Sequence, residues 1–285
     1  MRLTQPEKEL KKLIKAVKKN YDAVDTTLIE SAFNFSKRVH RGQFRESKKP
    51  FFSHPLSTAF ILAELGADST TVAAALLHDV LEDTDMSPAQ IRMLFGKKVL
   101  SLVEGVTKLS RIASEGREAK QIANLHNLLL ATTKEPRVIV IKLADKLHNL
   151  RTLQFLPEAD RKRIAGEALS VYAPIALKLG IHAFYNEMSD LAFKHLKPSI
   201  YRSLNERIKR KKREKLAELD AIAKAVAKRT KLLASFHVDE RTIYSVYSKM
   251  RRKEKSIDEV PDFLVLKLVA PTAVDCYTVL GAVHS

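Results

Sequence analysis

Four side chains that could bind a divalent metal ion lie in three separate parts of the sequence. The stretch "LLHDVLEDT" (76–84) places His78 and Asp79 at the end of a strongly apolar segment. Asp145 lies inside "VIVIKLADKL", a second apolar segment in which no partner for the carboxylate is evident, and His54 occurs in "SHP". Burying an ionised carboxylate without a partner is costly, and a bound cation relieves that cost, so the pattern predicts a metal site.

The two imidazoles and two carboxylates suggest which metal would bind. Mixed nitrogen and oxygen donors, with space left for water, suit Mn²⁺ or a similar divalent ion better than a closed structural zinc site. Glu82 and Asp83 each follow a predicted ligand, His78 or Asp79, by four residues. In a continuous helix that spacing puts them one turn further along the same faces, so we expect them at the rim of the site.

The elements that must position these residues are predicted to be helices. Apolar residues recur at helical spacing, and the chain contains only 8 glycines and 10 prolines. A helix predicted over 69–83 is apolar on all sides and is therefore expected to be buried. A second helix, predicted over 136–153, carries Asp145 with Asn149 and Thr152 on the same face.

The pattern of apolar and charged residues changes near residue 197. We predict an all-helical domain over 1–196 and a long basic helical linker over 197–235. The segment 236–285 contains two apolar runs typical of strands and two helical patterns, and it is expected to be only part of an α/β domain. The fold class is therefore mainly α, with a partial α/β segment after a long helix.

Composition and charge narrow the possible partners and location. The net charge of +17 attracts polyanions, and the dense basic stretch 207–215 could contact RNA or a ribosome or could be a solvated helix face. No run of about 18 apolar residues is present, so we expect no membrane span. The N-terminus lacks the apolar core of a secretory signal, and Cys276 is the single cysteine, which favours a cytoplasmic location.

The sequence resembles the HD-domain phosphohydrolases and, more narrowly, the hydrolase half of the Rel/SpoT family, the bifunctional enzymes of the alarmone (p)ppGpp. The resemblance covers nearly all of residues 25–201 in the family's order. The motifs that carry it are "HRGQFRESKKPFFSHP", "LLHDVLEDT", "GVTKLS", "KLADKLHNLRT" and "IALKLGIHAFYNEMSDLAFKHLKPSIY". It implies an all-helical HD-domain phosphohydrolase fold that removes the 3′-diphosphate of ppGpp or pppGpp, giving GDP or GTP and pyrophosphate.

The resemblance also implies roles for individual residues. The ligands of one Mn²⁺ would be His54, His78, Asp79 and Asp145. Glu82 and Asp83 would orient or deprotonate the attacking water, as general bases do. The nucleotide pocket would be lined by Arg45, whose flat guanidinium would stack on guanine, and by Ser47, Asn149 and Thr152.

One loop departs from the family's usual pattern. The sequence reads "RESKKPF" where the family usually has Arg-Lys-Ser-Gly-Glu-Pro-Tyr, so Glu46 replaces a lysine and Lys48-Lys49 replace Gly-Glu. This departure leaves two alternatives open. The chain could hydrolyse another nucleotide, such as an adenosine alarmone or a reduced dinucleotide phosphate, or it could be a non-catalytic module that binds RNA or a ribosome.

The last 50 residues resemble the beginning of the family's synthetase domain, a nucleotidyltransferase-like fold. Asp262 falls at its metal-binding aspartate, but Asp239 stands where the family has an ATP-contacting arginine and Lys267 replaces an arginine in the strand. The sequence also stops before the glutamate that completes the synthetase site, and a two-metal transferase needs both carboxylates. We therefore expect no synthetase activity.

Overall fold

The computed structural model describes residues 5–114, 135–230, 235–254, 256, 259 and 263–284. The helices are α1 Gln5–Lys18, α2 Thr26–Val39, α3 Ser53–Leu65, α4 Ser69–Leu77, α5 Val80–Asp83, α6 Pro88–Ser114, α7 Arg137–Arg151, α8 Glu158–Glu167, α9 Ala173–Lys178, α10 His182–Leu196, α11 Pro198–Thr230, α12 Ile243–Lys253 and α13 Ala273–His284. The strands are β1 Ser235–Glu240 and β2 Leu264–Val269. The contacts divide the chain into two compact units, Met1–Met188 and Ser189–Ser285.

The prediction of a mainly helical fold is confirmed. Where the structure describes the first unit, its only β pairing is an isolated bridge between Phe44 and Pro50. The predicted domain boundaries at 196 and 235 stay predictions, although the first unit ends close to the first of them.

Helix α4 lies at the centre of the first unit because it has no polar face. Every residue from Thr71 to Leu77 is buried, and the helix packs against α2, α3, α6 and α7. Asp68 caps its beginning by accepting a hydrogen bond from the Thr71 amide at 2.7 Å, and it also forms an ion pair with Arg137 at 3.0 Å. The cap therefore fixes the start of α4 against the start of α7.

The helix predicted over 69–83 is interrupted at His78 and Asp79, so that prediction is wrong in its continuity. In an uninterrupted helix the Ala75 carbonyl would accept a hydrogen bond from the Asp79 amide. The His78 ring Nδ1 instead donates to that carbonyl at 2.8 Å. A new turn starts at Asp79, whose carbonyl accepts from the amides of Glu82 at 3.0 Å and Asp83 at 2.9 Å.

Helices α6 and α7 approach each other closely at Gly105. A Cβ atom added to this glycine would lie 2.7 Å from a methyl group of the buried Val138. Only a residue without a side chain allows the two helices to pack at this distance.

The second unit has its own small core and a two-stranded sheet. β1 pairs with β2 in antiparallel fashion, from Ser235 opposite Val269 to Glu240 opposite Leu264. The buried core residues are Phe193, Leu204, Ile208, Ile243, Val246 and Phe263.

The basic stretch 207–215 lies on α11, in the second unit. Lys209, Arg210 and Arg213 are exposed there, and Lys212 forms an ion pair with Glu240. Contact of this stretch with RNA or a ribosome stays a prediction. Among the described residues, no helix has both the length and the apolar character needed to cross a membrane.

The close contact at Gly105 generates a stability prediction. Gly105→Ala should lower the free energy of unfolding. Overpacking destabilises a core by about 1–3 kcal/mol, which exceeds the stabilisation of up to about 1 kcal/mol that the higher helix propensity of alanine contributes. Gly166→Ala is the matched control, since a Cβ atom there meets nothing within 4 Å. Urea titrations followed by circular dichroism should show the first variant destabilised and the second not; equal midpoints would contradict the packing argument.

Candidate active site

Three helices of the first unit bring two imidazoles and a carboxylate together. His54 lies in the first turn of α3, His78 follows α4, and Asp145 is in the middle of α7. Each offers one ligand atom, these atoms lie within 4.8 Å of one another, and all three residues are buried. The Nε2 atom of His54 is 3.1 Å from Oδ1 of Asp145, and that of His78 is 4.0 Å from the same oxygen.

Asp79 completes the arrangement from the start of α5. Its Oδ1 lies 3.0 Å from Nε2 of His78, and its Oδ2 lies 3.5 Å from Nε2 of His54. The four residues predicted as ligands therefore converge on the two Nε2 atoms. His78 and Asp79 lie at the break between α4 and α5, where two consecutive side chains reach the same space.

The hydrogen bonding of His78 tests whether these residues fit a metal ion. Its Nδ1–H donates to the Ala75 carbonyl, so Nε2 is the ring nitrogen that a metal ion could take up in exchange for a proton. That Nε2 atom is fully buried and has no hydrogen-bond partner in the described part of the chain. A buried ring nitrogen beside two carboxylates suits a cation, and the donor set of imidazole nitrogen and carboxylate oxygen is one that divalent transition metals use.

His54 is held by a residue that the sequence did not assign to the site. Its Nδ1 lies 2.7 Å from Nδ1 of His148, on the side of the ring away from Asp145. Burial, together with the nearby His54 and Arg45, lowers the pKa of His148 to about 3, so its ring is neutral. A neutral His148 can accept the Nδ1–H of His54, and this leaves Nε2 of His54 free to bind a metal.

Asp145 has a partner, which corrects the sequence-based interpretation that none was evident. Lys142, three positions earlier on α7, places its Nζ 2.8 Å from Oδ2 of Asp145. It also donates to the hydroxyl of Ser110 on α6 at 2.9 Å. The side chain of this lysine is only 8% exposed, so the charge is buried with its partner.

The buried charges shift one another's protonation equilibria. Although burial favours neutral forms, the Asp79 carboxylate raises the pKa of His78 to about 9, and His78 in turn lowers the pKa of Asp79 to about 2. Against the effect of burial, Lys142 and His54 hold the pKa of Asp145 well below its usual range. Both predicted carboxylate ligands are therefore ionised at neutral pH, as metal binding requires.

Glu82 and Asp83 lie next to this cluster and are exposed to solvent. They line an open depression together with Gln43, whose side-chain amide donates to the Asp83 carbonyl at 3.0 Å. Burial and the carboxylates of Asp79 and Glu82 raise the pKa of Asp83. The arrangement places two acids where a water molecule near the cluster could be deprotonated.

A pocket of about 290 Å³ opens beside the cluster. It is lined by all four residues predicted to bind substrate, which are Arg45, Ser47, Asn149 and Thr152. The sequence did not assign the remaining lining residues, which are Glu46, Lys146, Leu153, Phe155, Leu156, Arg163, Ile164 and Glu167. Lys146 directly follows Asp145, and Glu46 lies between Arg45 and Ser47, which were signals for both. The other six lie in a turn and a helix with no motif of their own.

One hydrogen-bonded chain joins the pocket to the cluster. Arg45 Nη2 donates to Oδ1 of Asn149 at 2.7 Å, and the amide of Asn149 donates to Oδ1 of Asp145 at 2.6 Å. The second guanidinium nitrogen of Arg45, Nη1, is buried and has no hydrogen-bond partner among the described residues. It is available to a ligand in the pocket.

The loop that carries Arg45 is closed by short-range hydrogen bonds. The Arg45 amide donates to the Lys49 carbonyl at 3.0 Å, and the Lys48 amide donates to the Arg45 carbonyl at 2.8 Å. This turn puts Lys48 at a φ of 60°, in the left-handed region that favours glycine. The departure of this loop from the family pattern therefore falls on a position of backbone strain.

Comparison with known proteins places these features in a family. Residues 32–182 match the family described as HD domain. A guanosine-3′,5′-bis(diphosphate) 3′-pyrophosphohydrolase of Aquifex aeolicus is 41% identical over 261 residues, which is 90% of this chain and 37% of the relative. A GTP pyrophosphokinase of Myxococcus xanthus is 39% identical, over 91% of this chain and 35% of the relative. A probable guanosine-3′,5′-bis(diphosphate) 3′-pyrophosphohydrolase of Synechocystis sp. is 38% identical, over 90% of this chain and 34% of the relative. The chain thus spans roughly a third of the length of these relatives.

The raised pKa of His78 generates a prediction about metal binding. In the metal-free protein its ring is protonated at pH 7.5, because its pKa is about 9. A ligand imidazole must be neutral, so binding of Mn²⁺ at this pH should release about one proton per ion, and release should decline as the pH rises through 9. Calorimetric titrations in MOPS and Tris, whose ionisation enthalpies differ, measure this number.

The matched control is His182→Gln, which removes an exposed imidazole outside the cluster and should leave the number of released protons unchanged. Binding heats of the unaltered protein that are the same in both buffers at pH 7.5 would contradict the protonated state of His78.

Proposed function

We propose that this chain hydrolyses the 3′-diphosphate of (p)ppGpp, releasing GDP or GTP and pyrophosphate. The basis is that the chain belongs to the HD-domain family and, within it, to the Rel/SpoT group. The activity would serve the turnover of this alarmone in the stringent response. The observation that carries the proposal is the continuity between the His–Asp cluster and the pocket, through Asp145, Asn149 and Arg45. A nucleotide in the pocket would place a phosphoryl group beside the cluster.

The proposed cofactor is one Mn²⁺ ion. The residues that would hold it are His54, His78, Asp79 and Asp145, and their mixed nitrogen and oxygen donors suit this ion better than they suit a closed structural zinc site. When bound, the ion would supply polarisation of a phosphoryl oxygen and a lower pKa for the attacking water. His148 would hold the ligand His54 through its Nδ1 atom, and Lys142 would hold the ligand Asp145 through its Oδ2 atom.

Glu82 and Asp83 are the proposed proton acceptors. Their carboxylates lie at the exposed edge of the cluster, where water has access. The raised pKa of Asp83 brings its basicity closer to neutral pH, which favours proton transfer from water. Gln43 and the helical turn from Asp79 fix the backbone that carries both acids.

The pocket offers groups for each part of the nucleotide. Arg45, Ser47, Asn149 and Thr152 are the proposed substrate-binding residues. Lys146 and Arg163 add positive charge suited to phosphates, and Phe155 and Leu156 provide apolar surface suited to a base.

One lining residue favours a second candidate substrate. Glu46, which replaces the family's lysine, borders the pocket and adds a negative charge where a polyphosphate would approach. This supports hydrolysis of a less highly charged nucleotide, such as a reduced dinucleotide phosphate, as the alternative. Rates on ppGpp, pppGpp, an adenosine alarmone and NADPH, measured side by side, distinguish the two.

The proposed function predicts ppGpp hydrolysis that requires Mn²⁺. Asp79→Ala should abolish both metal binding and turnover, while circular dichroism shows that the helices persist. Glu82→Gln and Asp83→Asn should retain the ion and lose rate by roughly 10²–10⁴-fold, the usual contribution of a general acid or base. Release of GDP and pyrophosphate from ppGpp, together with elemental analysis of each variant, measures these effects.

Two outcomes would contradict this assignment. A preparation shown to be metal-free that still hydrolyses ppGpp at full rate would exclude the metal role. Loss of the ion from Glu82→Gln or Asp83→Asn would make those residues ligands instead of bases.

We further propose that the chain does not synthesise ppGpp. Asp239, at the position of the family's ATP-contacting arginine, forms an ion pair with Lys267 on the neighbouring strand, and both side chains are largely exposed. A carboxylate there would repel the triphosphate of ATP. Incubation with ATP, GDP and Mg²⁺ or Mn²⁺ should therefore yield no ppGpp, and detectable synthesis would overturn the interpretation of Asp239. Asp262, the expected synthetase ligand, lies outside the described residues.

A further inference from the structure

A buried ammonium group contacts one of the candidate metal ligands. Lys142 is 6% exposed and lies one turn before Asp145 on α7. Its Nζ contacts Oδ2 of Asp145 at 2.8 Å and the Ser110 hydroxyl at 2.9 Å. Lysine is almost never buried to this extent unless it is paired, so a specific role for it is to be sought in its partner.

The two oxygens of Asp145 have separate surroundings. Oδ2 contacts Lys142, whereas Oδ1 lies 3.1 Å from Nε2 of His54 and 4.0 Å from Nε2 of His78. The terminal torsion of an aspartate is broad, so the backbone of α7 alone does not fix which way the carboxylate plane turns. The ammonium supplies that constraint at Oδ2, and the Asn149 side-chain amide, 2.6 Å from Oδ1, supplies it at the other oxygen.

We propose that Lys142 is a positioning residue of the metal centre, which holds Asp145 so that only Oδ1 faces the two imidazoles. The inference rests on the metal site of the proposed function and goes beyond it by giving a role to a residue outside the ligand set. Asp145 would then offer one oxygen to the ion, with Oδ2 occupied by the lysine.

The packing of α6 against α7 keeps the lysine in place. Ser110, the second partner of Nζ, lies on α6, one helical turn and a half beyond Gly105. Because Gly105 lets the two helices approach closely, the serine hydroxyl reaches the lysine. The ammonium thus has one partner on each helix and cannot follow Asp145 if the carboxylate rotates.

A purely electrostatic role for Lys142 predicts the opposite result from a positioning role. If the lysine only offset negative charge, its removal would leave the site more negative and bind a cation more tightly. If it positions Asp145, its removal leaves Oδ2 without its anchor, so the carboxylate is held only through Oδ1 and metal binding weakens. The sign of the change in metal affinity therefore separates the two roles.

The test is calorimetric titration of the metal-free full chain with Mn²⁺ alone. Lys142→Met, which keeps the length of the side chain without its charge, should bind Mn²⁺ about 10–100-fold more weakly, the usual effect of losing a group that orients a ligand. Lys108→Met is the charge-matched control, because it removes the same charge from an exposed position on α6. The affinity of this variant for Mn²⁺ should stay within about twofold of that of the unaltered chain. Equal or tighter Mn²⁺ binding by Lys142→Met would overturn the proposal.

A second variant keeps the test decisive if Lys142→Met does not fold. Ser110→Ala leaves every charge in place and removes one contact of Nζ, so Mn²⁺ binding should weaken by at least about threefold. Unchanged affinity in folded Ser110→Ala would then count against positioning.

The design also separates this inference from the proposed function. If the unaltered chain does not bind Mn²⁺, the metal centre and the inference both fail. If it binds Mn²⁺ and Lys142→Met shows the loss, but ppGpp is not hydrolysed, only the proposed substrate fails.

Discussion

The burial of Asp145 is the constraint on which the site depends. An ionised carboxylate within the apolar helix α7 needs compensating partners, and the structure supplies three, which are Lys142, Asn149 and His54. Each partner serves a different part of the site: the lysine fixes one oxygen, the asparagine leads to the pocket, and the histidine is a candidate ligand. The helices around α7 therefore supply the polar partners of one buried charge in addition to apolar packing.

The sequence predicted the four candidate ligands because polar residues in apolar helices are conspicuous. It did not predict the break at His78, because hydrophobic periodicity carries no information about a ring that competes for a backbone carbonyl. It also missed Lys142 as the partner of Asp145. A lysine in a helical sequence is normally taken as solvated, and only the packing of α6 against α7 shows that this one is not.

The loop that carries Arg45 shows a different limit of sequence reasoning. The exchange of Gly-Glu for Lys48-Lys49 was visible as a change of charge, but its consequence lies in the backbone, since Lys48 adopts a φ of 60°. A non-glycine residue in that region is disfavoured by roughly 1 kcal/mol. The loop keeps this conformation because the bridge between Phe44 and Pro50 and the hydrogen bonds of Arg45 close it on both sides.

A single helix sets the distance between the cluster and the pocket. On α7, Asp145 faces the imidazoles, Asn149 joins it one turn later, and Thr152 ends the helix at the wall of the pocket. The helical rise of about 1.5 Å per residue makes the span from Asp145 to Thr152 about 10 Å. Since this spacing is fixed by backbone hydrogen bonds, the cluster and this wall of the pocket stay at a constant separation. The same helix therefore carries one residue of the cluster and two residues of the pocket wall in a fixed order.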